Sequence, residues 1–199
     1  MRDYLANEIR NIVLLGHSGA GKTSVVDAAL YFTKNTDRMG KTVDGTSTMD
    51  YDPDEVKRGV SCYTALAPIE WKNRKINFID TPGYMDYEGE MKAGLSVGDN
   101  ALIVVDGKAG VQAGTERAWK EVSKLKLPTI FFINKIDDEH ASFEKTYEAL
   151  RDTFGKSVIP FEVPIIEGEK VVGSVNVLRK KAWMINDREN AKEVPDNMK

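Results

Sequence analysis

The chain has 199 residues, 41% hydrophobic and 30% charged, a composition typical of a globular protein rather than a disordered or collagen-like one. Its 28 basic and 31 acidic residues give a net charge of −3, so there is no electrostatic reason to expect direct sequence-specific binding of nucleic acid. One cysteine and two histidines argue against a disulfide framework and a multi-histidine metal site. The charged first residues and the lack of a long apolar run predict a cytoplasmic protein that makes no membrane contact.

Short apolar runs alternate with amphipathic segments along most of the chain. The runs predict strands at residues 9–15, 62–71, 75–79, 101–105 and 129–133, and an extended run at 171–178. Helices are predicted from about Gly21, and at about 87–97, 112–125 and 141–154. Residues 33–60 and 80–90 lack periodicity, and loops of that length in a compact domain are usually functional. The alternation indicates an α/β fold, with a doubly wound, mostly parallel sheet and helices on both faces.

A glycine-rich turn lies between the first predicted strand and the first predicted helix. Its residues Gly16-His-Ser-Gly-Ala-Gly-Lys-Thr23 fit the pattern G-x-x-x-x-G-K-[ST]. Glycines let backbone N–H groups point at phosphate oxygens, and the helix N-terminus adds partial positive charge. Lys22 is then expected to reach the β- and γ-phosphates, and the Thr23 hydroxyl to bind Mg²⁺.

Two further polar motifs follow predicted strands. Asp80-Thr-Pro-Gly83 places a carboxylate where it can hold Mg²⁺ through water, and a glycine whose N–H can reach a γ-phosphate. Asn134-Lys-Ile-Asp137 places a carboxylate that can accept hydrogen bonds from N1–H and the N2 amine of guanine, a donor pair that adenine lacks. All three motifs end predicted strands, at the edge where open α/β sheets bind ligands. The sequence therefore predicts a guanine-nucleotide site and disfavours a P-loop ATPase.

A fourth candidate, Arg58-Gly-Val-Ser61, closes the long loop at residues 33–60. The Ser61 hydroxyl either joins the Mg²⁺ shell when a γ-phosphate is bound or is a solvated serine before a strand. The residues alone leave both interpretations open.

Five segments together resemble the G domain of elongation factor G, from about residue 11 to residue 178. They read GHSGAGKTS, DYDPDEVKRGVSCYTALAPIEW, INFIDTPGYMDYEGEM, ALIVVDGKAGVQAGTERAW and FFINKID. The resemblance is closest to the elongation-factor-G-like paralogues. It implies a Ras-like P-loop GTPase fold, with switch I at 33–60 and switch II at 80–90. Residues 1–157 are then an incomplete G domain, and 158–199 the start of a small inserted subdomain.

The resemblance also implies a set of site residues. Nucleotide contacts are expected from Ser18, Gly19, Ala20, Gly21, Lys22, Thr23, Ser24, Asp80, Gly83, Asn134, Lys135 and Asp137. Metal ligands are expected at Thr23, Ser61 and Asp80, and catalytic roles at Lys22, Gly83 and Tyr84. The family's base-reading Ser-Ala loop has no counterpart after Asp137, so we expect the sequence to be a fragment of a longer, multidomain and monomeric protein.

Four residues depart from the family pattern. They are Ser18 and Gly19 in the phosphate loop, Ser61 where the family usually has a threonine, and Tyr84 where the family has a water-positioning histidine. A phenol is longer than imidazole and stays neutral near pH 7, so slow intrinsic GTP hydrolysis is expected. The resemblance implies a translational GTPase that uses Mg²⁺ and GTP/GDP and acts on the ribosome through the full-length protein, in a step such as translocation. Two alternatives are a GTP-dependent ribosome-binding switch with little or no hydrolysis, and a ribosomal-protection factor.

Overall fold

The computed structural model describes residues 2–168 and 170–198, which form two compact units. The first unit contains residues up to 106 together with 111–134. The second contains residues 107–110 and the chain from 135 onward. The domain boundary that the sequence places between residues 157 and 158 stays a prediction.

The first unit is built on a five-stranded sheet in the order β2-β3-β1-β4-β5. Strands β1, β3, β4 and β5 are parallel, and β2 runs antiparallel to β3 at one edge. The mostly parallel sheet predicted from the sequence is therefore confirmed. The strands are β1 (Ile9–Gly16), β2 (Ala65–Trp71), β3 (Arg74–Asp80), β4 (Asn100–Asp106) and β5 (Thr129–Asn134).

Helices cover both faces of this sheet. The helices of this unit are α1 (Lys22–Phe32), α2 (Pro53–Arg58), α3 (Glu88–Ser96) and α4 (Ala113–Leu125). Val26 and Leu30 of α1 are buried with Leu14 and Val104 in one apolar cluster. Val13 points to the opposite face, because side chains alternate along a strand, and α3 and α4 pack there. Within the described residues, no helix combines the length and apolar character needed to cross a membrane.

Two details differ from the sequence expectation. Residues 33–60 contain a short helix, α2, which is capped by the Asp52 carboxylate accepting the Asp54 N–H at 2.8 Å. Strand β2 begins at Ala65 instead of residue 62, because side chains take the preceding N–H groups. Glu55 accepts hydrogen bonds from Cys62 and Tyr63, at 2.7 and 2.9 Å.

The second unit contains α5 (Phe143–Phe154) and a four-stranded antiparallel sheet. Its strands are β6 (Glu162–Glu167), β7 (Lys170–Asn176), β8 (Lys181–Met184) and β9 (Asp187–Lys192). Ile165, Val175 and Ala182 form its buried apolar cluster. The predicted extended run corresponds to β7, whereas β9 lies in the charged end, where apolar patterning predicts no strand.

Two glycines of α3 allow a matched stability test of its packing. A Cβ at Gly94 would lie 2.8 Å from Thr81 Cγ2 and 3.3 Å from Ile79 Cγ2, whereas a Cβ at Gly89 would meet open space. We expect Gly94→Ala to lower the free energy of unfolding by about 1–2 kcal/mol through overpacking. Gly89→Ala should leave it unchanged or raise it by up to about 1 kcal/mol through helix propensity. Urea denaturation measures both, and equal effects would contradict the packing of α3 on the sheet.

Candidate functional site

The carboxyl ends of the four parallel strands bring the sequence-predicted motifs of the first unit to one edge of its sheet. Leu14 of β1 pairs with Asp80 at the end of β3, and Gly16 pairs with Val104 near the end of β4. Asn134 ends β5 opposite Asp106. In open α/β sheets this edge is where ligands bind, because the loops that follow parallel strands meet there.

The phosphate loop joins β1 to α1 in a conformation that requires glycine. Gly21, the residue before α1, has φ = +94°, in the left-handed region that side chains disfavour. A Cβ at this position would also collide with the side-chain amide of Asn134, whose Nδ2 donates to the Ala20 carbonyl at 3.0 Å. Asn134 therefore lies against the loop. Of the other loop residues, Ser18 and Ser24 are half-buried, Gly19 is exposed and Ala20 is buried.

Lys22 is buried at the start of α1, with only 6% of its surface exposed. Its ammonium donates to the carbonyls of His17 at 3.1 Å and Gly16 at 3.4 Å. Burial lowers the pKa of Lys22, while the nearby Asp80 carboxylate opposes that shift. A buried ammonium held mainly by neutral carbonyls is well placed to receive an anion.

A chain of hydroxyls and carboxylates surrounds the first turn of α1. Thr23 Oγ1 donates to Asp80 Oδ2 at 2.7 Å and lies 3.2 Å from Ser61 Oγ. Ser61 in turn donates to Asp50 Oδ1 at 2.7 Å. Of the three predicted metal ligands, Thr23 therefore contacts both Asp80 and Ser61, and Ser61 lies in this chain of hydrogen bonds rather than in solvent.

The carboxylates of this chain are incompletely paired. Asp80 Oδ1 and Asp50 Oδ2 are buried and have no hydrogen-bond partner within the described residues. Burial raises the pKa of Asp80 to about 6, and the Lys22 charge and Thr23 hydroxyl only partly offset it. Burial likewise raises the pKa of Asp50, against the hydrogen bond from Ser61. One oxygen of each carboxylate is therefore left without a hydrogen-bond donor, and added positive charge stabilises a buried carboxylate of this kind.

A divalent magnesium ion fits this donor set. Mg²⁺ prefers hard oxygen ligands and is usually held by one or two protein groups together with water and phosphate oxygens. Thr23, Ser61 and Asp80 present such oxygens, and the unpartnered Asp80 Oδ1 is a free acceptor. No group of three or more His, Cys, Asp or Glu side chains in the described parts of the chain could hold a metal. A metal ion at this position therefore needs the Thr23 and Ser61 hydroxyls together with phosphate oxygens of a bound ligand.

The turn after β3 passes directly over the phosphate loop. A Cβ at Gly83 would lie 2.5 Å from Lys22 Nζ and 2.7 Å from Ser18 N, so only glycine allows this approach. Tyr84 follows with 45% of its surface exposed, and precedes a short 3₁₀ turn at Met85–Tyr87. Gly83 thus lies against Ser18 of the phosphate loop, and Tyr84 is next to Gly83 in the chain.

The other residues predicted to recognise the base, Lys135 and Asp137, belong to the second unit. Lys135 has a left-handed backbone, with φ = +55°, in the turn that follows β5. Asp137 lies two residues further on and its side chain is exposed. An exposed carboxylate beside a turn is free to accept hydrogen bonds from a base edge.

Four residues of the site were not singled out by sequence reasoning. Asp50 holds Ser61, Glu55 holds the backbone before β2, and His17 Nδ1 accepts the Gly114 N–H at 3.3 Å. Arg117 of α4 donates from Nη2 to the Gly83 carbonyl at 3.2 Å. The Asp52-Pro-Asp-Glu55 capping pattern signals α2, but the other contacts join distant parts of the chain and carry no local signal.

Comparisons with known proteins agree with this geometry. The model of the elongation factor Tu GTP binding domain matches residues 7–194. An elongation factor G-like protein of Thermotoga maritima is 35% identical over 190 residues, which cover 95% of this chain and 27% of that protein. A crystal structure of a protein from Thermus thermophilus superposes with a TM-score of 0.88 at 37% identity, covering 96% of this chain and 29% of that one. The chain thus spans less than a third of the length of these relatives.

The raised pKa of Asp80 predicts a pH-dependent stability of the nucleotide- and magnesium-free protein. An unfolded aspartate has a pKa of about 3.9. Between that pH and about 6, folded Asp80 keeps a proton that the unfolded chain has released, so stability falls as pH rises. A shift of this size is worth about 3 kcal/mol. Asp80→Asn lacks this titration. The free energy of unfolding of Asp80→Asn minus that of wild type should therefore increase by about that amount from pH 4 to pH 7.

Denaturant unfolding at several pH values measures this difference. Asp86→Asn serves as the control, because Asp86 is an exposed aspartate six residues further along the same loop. Parallel pH profiles for the two variants would show that Asp80 is not held in a destabilised, ionised state.

Proposed function

This chain belongs to the elongation factor Tu GTP-binding domain family, and on that premise we propose that it binds Mg²⁺ with GTP or GDP and hydrolyses GTP in a ribosome-associated step such as translocation. As a member of this family it is the GTP-binding domain of a translational GTPase. The observation that carries the proposal is the contact of Thr23 with both Asp80 and Ser61, directly beside the buried Lys22.

The phosphate loop and Lys22 supply the phosphate-binding half of the proposed site. Backbone N–H groups from Ser18 to Ser24 and the N-terminus of α1 favour negative charge at this position. The Lys22 ammonium exchanges its carbonyl partners for β- and γ-phosphate oxygens. Because the site is buried, each of these interactions is stronger than it would be in water.

Thr23, Ser61 and Asp80 supply the metal-binding half. Thr23 and Ser61 would hold Mg²⁺ through their hydroxyl oxygens, and the Asp80 carboxylate would hold it through water. The ion would supply positive charge that neutralises the charge developing on the phosphates. The hydrogen bond from Ser61 to Asp50 orients the serine, so that a serine performs the role of the family's usual threonine.

Guanine specificity is assigned to the loop after β5. Asp137 accepts hydrogen bonds from N1–H and the N2 amine of guanine, while Asn134 braces the phosphate loop and Lys135 lies along the base. Against adenine the carboxylate loses both donors, and a binding group left without its partners costs several orders of magnitude in affinity.

Tyr84 is the residue on which the rate of hydrolysis depends. Tyr84 occupies the position after Gly83 and is 45% exposed. A side chain that exposed positions a water less well than a held imidazole, and a positioned acid–base group contributes about 10²–10⁴-fold to a rate. We therefore propose slow hydrolysis. The same observation favours a second candidate function, a GTP-dependent ribosome-binding switch with little or no turnover.

Replacement of Tyr84 tests the proposed cause of slow hydrolysis. Tyr84→His should raise the single-turnover rate of GTP hydrolysis on ribosomes by about 10-fold or more, because imidazole places the attacking water. Tyr84→Phe should stay within about threefold of wild type, since the phenol contributes little. Rapid quench of γ-labelled GTP with the intact protein measures all three. A wild-type rate equal to that of an ordinary elongation factor G would contradict slow hydrolysis, and no hydrolysis in any variant would favour the switch.

Replacement of Asp137 tests the assignment of the base. Asp137→Asn presents an amide donor where guanine also has a donor, so GTP affinity should fall by about 100-fold or more. Xanthosine triphosphate carries an oxygen at that position and should bind the variant better than GTP. Asp138→Asn, a change at the exposed neighbouring carboxylate, is the control and should bind GTP normally. Unchanged nucleotide preference of Asp137→Asn by calorimetric titration would remove this residue from base recognition.

A further inference from the structure

The guanidinium of Arg117 reaches the phosphate site from helix α4, which carries none of the sequence-predicted site residues. One turn earlier on the helix, the Gly114 N–H donates to His17 Nδ1 at 3.3 Å, and a Cβ at Gly114 would lie 2.5 Å from His17 Cα. The first turn of α4 therefore packs closely against the phosphate loop. Residues three apart share one helix face, so Arg117 extends from the same face as Gly114.

Arg117 is only partly paired where it lies. Its Nη2 donates to the Gly83 carbonyl at 3.2 Å. Its Nε and Nη1 are inaccessible to solvent and have no acceptor within the described residues. Buried N–H groups on a cation are costly when unpaired. This arrangement indicates a site completed by negative charge.

The hydrogen bond from Nη2 places the Arg117 guanidinium at the Gly83 turn. The backbone at Gly83 lies against Lys22 Nζ and the backbone N of Ser18, since a Cβ at Gly83 would be 2.5 Å and 2.7 Å from these two atoms. Arg117 is also close enough to Lys22 for its charge to add to burial in lowering the lysine's pKa. Two cations therefore approach the Gly83 turn, Lys22 from the phosphate loop and Arg117 from α4.

We propose that Arg117 is a positioning residue for the terminal phosphate of GTP, a role that rests on the proposed nucleotide site and extends it. Its hydrogen bond holds the Gly83 carbonyl, and so fixes the peptide that joins Gly83 to Tyr84. Glycine leaves that peptide free to rotate unless another group restrains it. The guanidinium charge acts through this turn on the γ-phosphate position.

This placement predicts discrimination between the triphosphate and the diphosphate. GDP lacks the phosphate that lies nearest to the Gly83 turn, and it carries less negative charge. A cation fixed beside that turn, in a partly buried environment, attracts the γ-phosphate more strongly than the two phosphates shared by both nucleotides. Loss of Arg117 should therefore weaken GTP binding selectively.

Nucleotide affinity of the intact protein tests the proposal without relying on hydrolysis. Dissociation constants for GDP and for a non-hydrolysable GTP analogue are measured by calorimetry in wild type, Arg117→Met, Arg117→Lys and Lys120→Met. Lys120 is an exposed cation on the same helix, so its replacement makes the same change in net charge. Thermal unfolding of each nucleotide-free variant shows whether it is folded, and Arg117→Lys keeps the charge if Arg117→Met does not fold.

Arg117→Met should weaken binding of the analogue by at least 10-fold and leave GDP within threefold of wild type. Arg117→Lys should lie closer to wild type than to Arg117→Met, and Lys120→Met should leave both affinities within about twofold. Equal weakening for both nucleotides in Arg117→Met, or no weakening for either, would overturn the role of Arg117. Failure of wild type to bind either nucleotide would instead overturn the proposed function from which that role follows.

Discussion

The hydrogen bond from Thr23 to Asp80 joins the two parts of the chain on which the site depends. It links the first turn of α1 to the end of β3 across 57 residues of sequence, inside a buried environment. Burial leaves Asp80 with an unpartnered oxygen and a raised pKa, so the fold holds a carboxylate in a place that disfavours its charge. A bound cation removes that cost. We therefore interpret this part of the fold as prepared for a metal and its phosphates.

Close backbone approaches make this arrangement possible. Gly21 leaves room for the Asn134 amide, Gly83 lets the turn after β3 lie on Ser18, and Gly114 lets α4 lie against His17. A side chain at any of the three positions would push an element away from the phosphate loop. The glycines thus bring together side chains that come from α1, β3, α4 and β5, and the charged groups then act on one small volume.

Much of this could be predicted from the sequence, and the failures have physical causes. Apolar runs that end in polar motifs identify β1, β3, β4 and β5, because parallel strands buried on both faces are almost continuously apolar in sequence. Lys22, Thr23 and Asp80 follow from local motifs. The start of β2 could not be predicted, since the Glu55 carboxylate takes the N–H groups that a strand would use. The contacts of Asp50 and Arg117 could not either, because their partners lie 11 and 34 residues away.

Magnesium dependence of GDP binding tests the central claim most directly, because GDP needs neither Tyr84 nor the γ-phosphate contacts. The intact protein is titrated with GDP in millimolar Mg²⁺ and in excess chelator, alongside Thr23→Val, which keeps the shape of the side chain and removes its hydroxyl. We predict that Mg²⁺ tightens binding to wild type by at least 10-fold and that Thr23→Val loses this gain. Equal affinity of wild type with and without Mg²⁺ would contradict a metal site at Thr23 and Asp80.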